Sequence, residues 1–161
     1  RALTLRLKRM LQIELAADWD NVGLLIGDQS DEICRVFICR VFLTNDLTRS
    51  ALSDAKANSS DKSLILAYHP ILFRPVSSLT TESTWQNDVI IKCIQAGFSI
   101  FCPHTALDCM HGGVNDWLAS MFGTAVRDFS INPLDKSLKT DDGQRGITMI
   151  SNPSEIPGFK K

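Results

Sequence analysis

Apolar and polar positions divide most of the chain into short alternating elements. Residues 3–17 carry leucines on one side of a helix that ends near Asp18. VGLLIG, 22–27, is a short apolar strand closed by glycine. A strand follows in DEICRVFICRVFLTNDL, where ICRVF occurs twice, at 33–37 and 38–42. An exact repeat of five is odd, so it inverts the side-chain alternation of a strand and calls for a bulge or a loop. It reads as a small duplication or a gene-model error rather than a designed feature. Residues 49–57 are helical, and NSSDKS is a loop. LILAY shows no polar alternation, the mark of a strand covered on both faces. After the loop SSLTTES, Ser83 and Gln86 have capping-box spacing for a helix to Ala96, with Gly97 ending it. FSIFC is a second buried strand, followed by an HTALD turn. A last helix spans 115–122, with Trp117, Leu118, Met121 and Phe122 inward and Gly123 as cap.

Strands alternating with helices imply an α/β fold, a mixed or parallel sheet with helices on both faces. In such sheets ligands bind beyond the carboxyl ends of the strands, where TND, YHP and PHTALD all fall. Residues 1–127 read as one α/β unit. From about Asp128 the chain turns polar and rich in turn formers, so 128–161 read as a tail or as the opening of a further domain.

Composition narrows this picture only slightly. The 161 residues are 44% hydrophobic and 22% charged, ordinary for a water-soluble globular chain. Net charge is −1, which gives no basic field for direct nucleic-acid contact, and no apolar run is long enough for a membrane span. The Arg/Leu-rich start reads as a core helix rather than a targeting segment. The first residue is Arg1, so a fragment, a processed form or an incomplete gene product is expected. The five cysteines (Cys34, Cys39, Cys93, Cys102 and Cys109) are odd in number and form no C-x-x-C pair. They are expected to be free, buried thiols of a reducing compartment, the cytoplasm, with nucleus and mitochondrion as alternatives.

Two of the three histidines, His69 and His104, follow apolar runs beside a proline, and Asp108 lies four residues beyond His104. Imidazole with carboxylate suits zinc, iron, manganese or nickel. The alternative is that both imidazoles satisfy backbone groups at strand ends. Asp20, Asn45 and Asp46 are candidates to support such ligands, or are turn and helix caps. His111, beside two glycines, reads as an exposed turn residue. There is no G-x-S-x-G and no phosphate-binding glycine loop.

ADWDNVGLLIG, VFLTNDLT, LILAYHPILFRP, FCPHTALD and GVNDWLA, in this order, closely resemble the NGG-interacting-factor-three-like proteins, the dinuclear-metal family also labelled GTP cyclohydrolase I type 2. The match covers roughly residues 10–123 and is closest to the eukaryotic branch. The resemblance implies a ring-shaped homo-oligomer and two divalent transition-metal ions, with His69, His104 and Asp108 at ligand positions. Tyr68 stands where bacterial members carry a first histidine. The family completes its site with a C-terminal His-x-x-x-Glu motif, but no histidine follows His111, and the only later glutamate is Glu155. The expected fold is therefore incomplete at the C-terminus and its metal site is half present.

Two functions follow. One is a metal-dependent hydrolase acting at an electrophilic carbon, such as the purine C8 that the cyclohydrolase label implies. The other is a non-catalytic partner of a transcription-related protein, as the family name implies. A truncated product without independent function is a third reading.

Overall fold

The structure, a computed structural model, describes residues 2–39, 43–56 and 62–121. Four strands form one sheet: β1 (Gly23–Ile26), β2 (Ile33–Cys39), β3 (Lys62–Ala67) and β4 (Phe98–Cys102), in the order β1-β4-β3-β2. β2, β3 and β4 run parallel, and β1 pairs antiparallel with β4. The sheet is therefore mixed, as expected. The two parallel steps are bridged by α2 (Asn45–Lys56) and α3 (Trp85–Gln95). α1 (Ala2–Met10) precedes the sheet, while α4 (Thr105–Cys109) and α5 (Val114–Ser120) follow it.

Alternation along β3 and β4 sorts the core into two layers. Ile65, Ala67, Phe98 and Ile100 face Ala51 of α2 and Val89 and Cys93 of α3. Leu64 and Phe101 face the other way, onto Leu3 and Leu7 of α1 and Leu24 of β1. Helices thus cover both faces, and every residue of β4 is buried. Burying a large apolar side chain fully contributes about 1.5–3 kcal/mol, so this double cover makes β4 a firm base for the segment after it.

α1 is shorter than its leucine pattern suggests. Gln12 adopts a left-handed conformation (φ 43°, ψ 54°), which an α-helix cannot propagate. A single 3-10 turn, Ile13–Leu15, follows, and the break lays Leu11 and Ile13 against the sheet.

The repeat behaves as its odd period demands. β2 slips register between Ile33 and Arg35, and Ile33 and Phe37 end in opposite core layers. Cys34 is exposed whereas its repeat counterpart Cys39 is buried. Cys34 and the half-buried Cys109 correct the expectation of five buried thiols; Cys39, Cys93 and Cys102 meet it. β2 is an edge strand, and Ile38 is 77% exposed on its uncovered face.

The α3 cap is Thr84, not Ser83: the Thr84 hydroxyl accepts from the Asn87 amide at 3.2 Å, and Ser83 Oγ instead meets Asn87 Nδ2. The helix ends at Ala96 and Gly97 (φ +70°), close to expectation. α5 departs further, because Trp117, Leu118 and Met121, expected inward, are all exposed. α5 rests on α4, and no described element covers that apolar side. Phe122, Gly123 and the boundary near 128 lie outside the described residues. Among the described residues, no helix is long and apolar enough to cross a membrane.

Candidate functional site

Two strand ends meet to form the site. Tyr68 and His69 follow β3, and Pro103 and His104 follow β4. The Tyr68 carbonyl ties these ends together, accepting from the His104 amide at 3.2 Å and from Cys102 Sγ at 2.8 Å. The imidazoles of His69 and His104 lie against each other, with centroids 4.6 Å apart and planes tilted by 51°. Tyr68 sits edge-on to both, at 5.1 and 5.5 Å.

His104 has an unusual backbone, φ 30° and ψ −118°. A non-glycine residue in such a region costs of order 1–3 kcal/mol and persists only where its surroundings hold it. Asp20 supplies that hold. Its side chain is closed to solvent, and its two oxygens lie 2.8 and 2.9 Å from His104 Nδ1. Asp20 Oδ2 also accepts from the Thr105 amide at 3.1 Å and the Thr105 hydroxyl at 2.5 Å. The Thr105 hydroxyl in turn accepts from the Ala17 amide at 3.0 Å. Burial pushes the Asp20 carboxyl upward, but hydrogen bonds from Thr105, His104 and the Asn21 amide outweigh it and hold the group below its usual range. Asp20 is therefore an ionised acceptor. A neutral His104 must then carry its proton on Nδ1, which leaves Nε2 with a lone pair.

Asp108 lies one helical turn beyond His104, on α4. Its Oδ1 accepts from the Tyr68 hydroxyl at 2.6 Å, and its carbonyl accepts from Asn115 Nδ2 at 2.8 Å. Burial and the Asp108 carboxylate raise the Tyr68 phenol well above its ordinary value, so Tyr68 acts as a neutral donor that fixes Asp108. Gly113 sets α5 against α4. A Cβ there would stand 2.0 Å from the Leu107 carbonyl and 2.8 Å from that of Met110. Burial, and then the charge of His104, lower the His69 pKa, which favours its neutral, electron-donating form.

The structure brings His69 and His104 together and links Asp108 to them through Tyr68. Asp20 engages His104 Nδ1 and also accepts from the Thr105 amide at the start of α4 and from the Asn21 amide. Asp46 lies on an exposed face of α2 beside Arg49, at 3.6 Å, and supports no ligand; the Asn45 side chain is not among those described. His111 is exposed in a turn. Thr105, Asn115 and the anchoring role of Tyr68 escaped the sequence reading, as did two aromatic rings at the rim, Trp19 and Phe73. Both rings stand edge-on to His104 at 6.4 Å. The only hint in sequence was that Trp19 adjoins Asp20 and Phe73 follows the His-Pro pair. Two imidazoles, one fixed through Nδ1 by a carboxylate, and a second carboxylate make a donor set suited to a divalent transition metal. Among the described residues, however, no three His, Cys, Asp or Glu side chains converge on a single metal position.

The comparisons agree with this picture at the level of family. The chain is 32% identical over 180 residues to mouse NIF3-like protein 1, an alignment covering 98% of this chain and 46% of the relative. It is 41% identical over 103 residues to the NGG1-interacting factor 3 of Saccharomyces cerevisiae, covering 62% of this chain and 35% of that one. It is 34% identical over 110 residues to a Lactococcus lactis protein named GTP cyclohydrolase 1 type 2 homolog, covering 68% and 40%. The crystal structure of Staphylococcus aureus protein SA1388 superposes with a TM-score of 0.65 at 30% identity, covering 82% of this chain and 34% of that one. The chain thus spans less than half the length of these relatives. The family model described as Duf34/NIF3 (NGG1p interacting factor 3) matches residues 1–155, and the chain belongs to that family.

Proposed function

We propose that this chain carries one side of a metal-dependent hydrolytic centre, with His69, His104 and Asp108 as ligands to zinc, iron, manganese or nickel. The observation that carries the reading is the engagement of His104 Nδ1 by the buried Asp20 carboxylate. That arrangement fixes the tautomer and orientation of a metal-binding imidazole. Such an ion supplies Lewis acidity, which activates water and polarises an electrophilic carbon. The chain's own residues prepare the site: Asp20 orients His104, burial keeps His69 neutral, and Tyr68 fixes Asp108. The name of the Lactococcus lactis relative supports a cyclohydrolase-type hydrolysis. Among the described residues His69, His104 and Asp108 do not converge on one metal position, so the reading calls for further ligands from elsewhere. A homo-oligomer, implied by the resemblance, belongs to the same reading and is checked by light scattering.

A second reading, a protein-interaction role, is favoured by the name of the yeast relative and by the exposed Trp117, Leu118 and Met121. Elemental mass spectrometry of the purified chain separates the two. The hydrolytic reading expects about one transition metal per chain, lost in His104→Ala and Asp108→Ala and kept in His111→Ala. Equal metal content in all four proteins would sink it.

A further inference from the structure

β3 and α3 are joined by residues 68–84, which hold no helix or strand. A connection longer than about 12–15 residues without elements of its own is uncommon in a compact fold and usually carries a function. Its first residues, Tyr68 and His69, belong to the site described above. The remainder has a different character, because every residue of 73–84 is exposed. Two side-chain amides hold this loop down. That of Asn21 donates to the Leu72 carbonyl, and that of Asn87 donates to the Ser78 carbonyl at 3.3 Å and to the Ser83 hydroxyl at 2.6 Å.

The loop is rich in hydroxyls. Ser83 donates to the Thr80 carbonyl at 2.9 Å, and Thr84 caps α3. Ser77 makes no hydrogen bond among the described residues, and it alone on the loop follows an arginine by three residues. That arginine, Arg74, is exposed and forms no ion pair with any described carboxylate. Thr4 follows Arg1 at the same spacing but is buried. Arg74 and Ser77 line the same two grooves. One, of about 710 Å³, runs from Asp20 and Asn21 along the loop. The other, of about 510 Å³, lies between the loop and the start of α3 at Thr84, Gln86 and Asn87.

We propose that Ser77 is a phosphorylation site for an arginine-directed serine kinase, and that Arg74 both marks the site and holds the phosphate. A kinase takes its acceptor from an exposed segment and reads the charges around it. The γ-phosphoryl group of ATP passes to Ser77 Oγ: its bond to ADP breaks, the ester bond forms, and the hydroxyl proton leaves to the kinase's base. The ester adds a charge of about −1.5 to −2. Asp20 is already engaged by His104 and Thr105, so Arg74 is the uncommitted charge of the first groove's described lining. Modification therefore turns that groove from cationic to anionic. In the second groove the amino end of α3 favours an anion, and Asp88 in its first turn is paired with Lys92 at 2.6 Å. Phosphate held by Arg74 beside α3 fastens the loop to the helix. None of this depends on the metal reading.

The test is incubation of the purified chain with ATP and activated calmodulin-dependent protein kinase II, a kinase that reads an arginine three residues before its acceptor. Peptide mass spectrometry then maps the product, because Ser130 and Thr148 also follow an arginine by three residues. Phosphate should appear on Ser77, be absent there in Ser77→Ala and be kept in Ser77→Thr. Arg74→Ala should slow modification of Ser77 by about tenfold or more, the worth of one charge-assisted hydrogen bond. Both residues are exposed, so the variants should keep wild-type circular dichroism. Once Ser77 is fully modified, cutting within residues 73–84 by proteinase K should slow by about tenfold in wild type and hardly at all in Arg74→Ala. An unmodified Ser77, or one modified equally fast in Arg74→Ala, would overturn the site. Modified Ser77 with an unchanged cutting rate would overturn the holding role of Arg74.

Discussion

Replacing Asp20 should damage stability and ligand geometry together. Its side chain is closed to solvent and serves four donors: His104 Nδ1, the Thr105 amide, the Thr105 hydroxyl and the Asn21 amide. A hydrogen bond to a charged acceptor contributes about 1.5–3 kcal/mol net, and removing one partner of a buried pair costs about 3–5 kcal/mol. Water can reach the half-buried Thr105, and release of the strained His104 backbone returns about 1–3 kcal/mol. Asp20→Ala should therefore lose about 2–4 kcal/mol. Asp20→Asn is the sharper probe. With its oxygen on Thr105, its NH₂ faces His104 Nδ1 and favours the tautomer protonated on Nε2, the wrong one for a metal ligand. The expected loss is about 1–2 kcal/mol of stability, and metal affinity should fall by about 10- to 100-fold. Urea unfolding followed by circular dichroism, with a chromophoric chelator competing for the metal, measures both. Variants within about 0.5 kcal/mol of wild type, the scatter of ordinary surface changes, with unchanged metal affinity would refute the role given to Asp20.

Tyr68→Phe removes the 2.6 Å hydrogen bond to Asp108 and should cost about 1–2 kcal/mol in a urea melt, with a weaker hold on metal. His69 has a lowered pKa, so the unfolded chain binds its proton more readily than the folded one. Stability should be complete above the ordinary imidazole value of 6.5 and fall as pH drops below it, and His69→Asn should flatten this slope in melting temperature measured from pH 7.5 to 5. Asp20 carries a shift in the same downward direction on an acid group: its contribution is present above the ordinary value of 3.8 and is lost as pH falls from there through its lowered folded value. Gly113→Ala should lower the thermal midpoint, since its methyl would meet the Leu107 carbonyl at 2.0 Å and must push α5 off α4 at a cost of about 1–3 kcal/mol.

Much of the sheet could be read from periodicity, because β3 and β4 are covered on both sides and are mostly apolar without polar alternation. The inverted facing of Cys34 and its repeat counterpart Cys39 was also legible, since it follows from counting. What escaped depends on the surroundings. The break at Gln12 is a single left-handed residue inside a helical pattern, imposed by packing of Ile13 on the sheet. Ser83 and Thr84 compete for one cap, and only the geometry of Asn87 decides between them. The spacing of Trp117, Leu118 and Met121 shows an apolar side but not whether anything packs on it. At the site, His69, His104 and Asp108 stood out by residue type. Tyr68 looked like a weakened ligand position, and its bond to Asp108 spans 40 residues, which no local pattern reveals.

The central claim is that His69 and His104 act as one metal-binding pair. Titration of the metal-free chain with cobalt(II) tests it directly, because cobalt bound to nitrogen and oxygen donors absorbs visibly. The account predicts a saturable absorption band near one equivalent that is abolished in both His69→Ala and His104→Ala and retained in His111→Ala. A band that survives in either of the first two variants with unchanged shape and midpoint would contradict it.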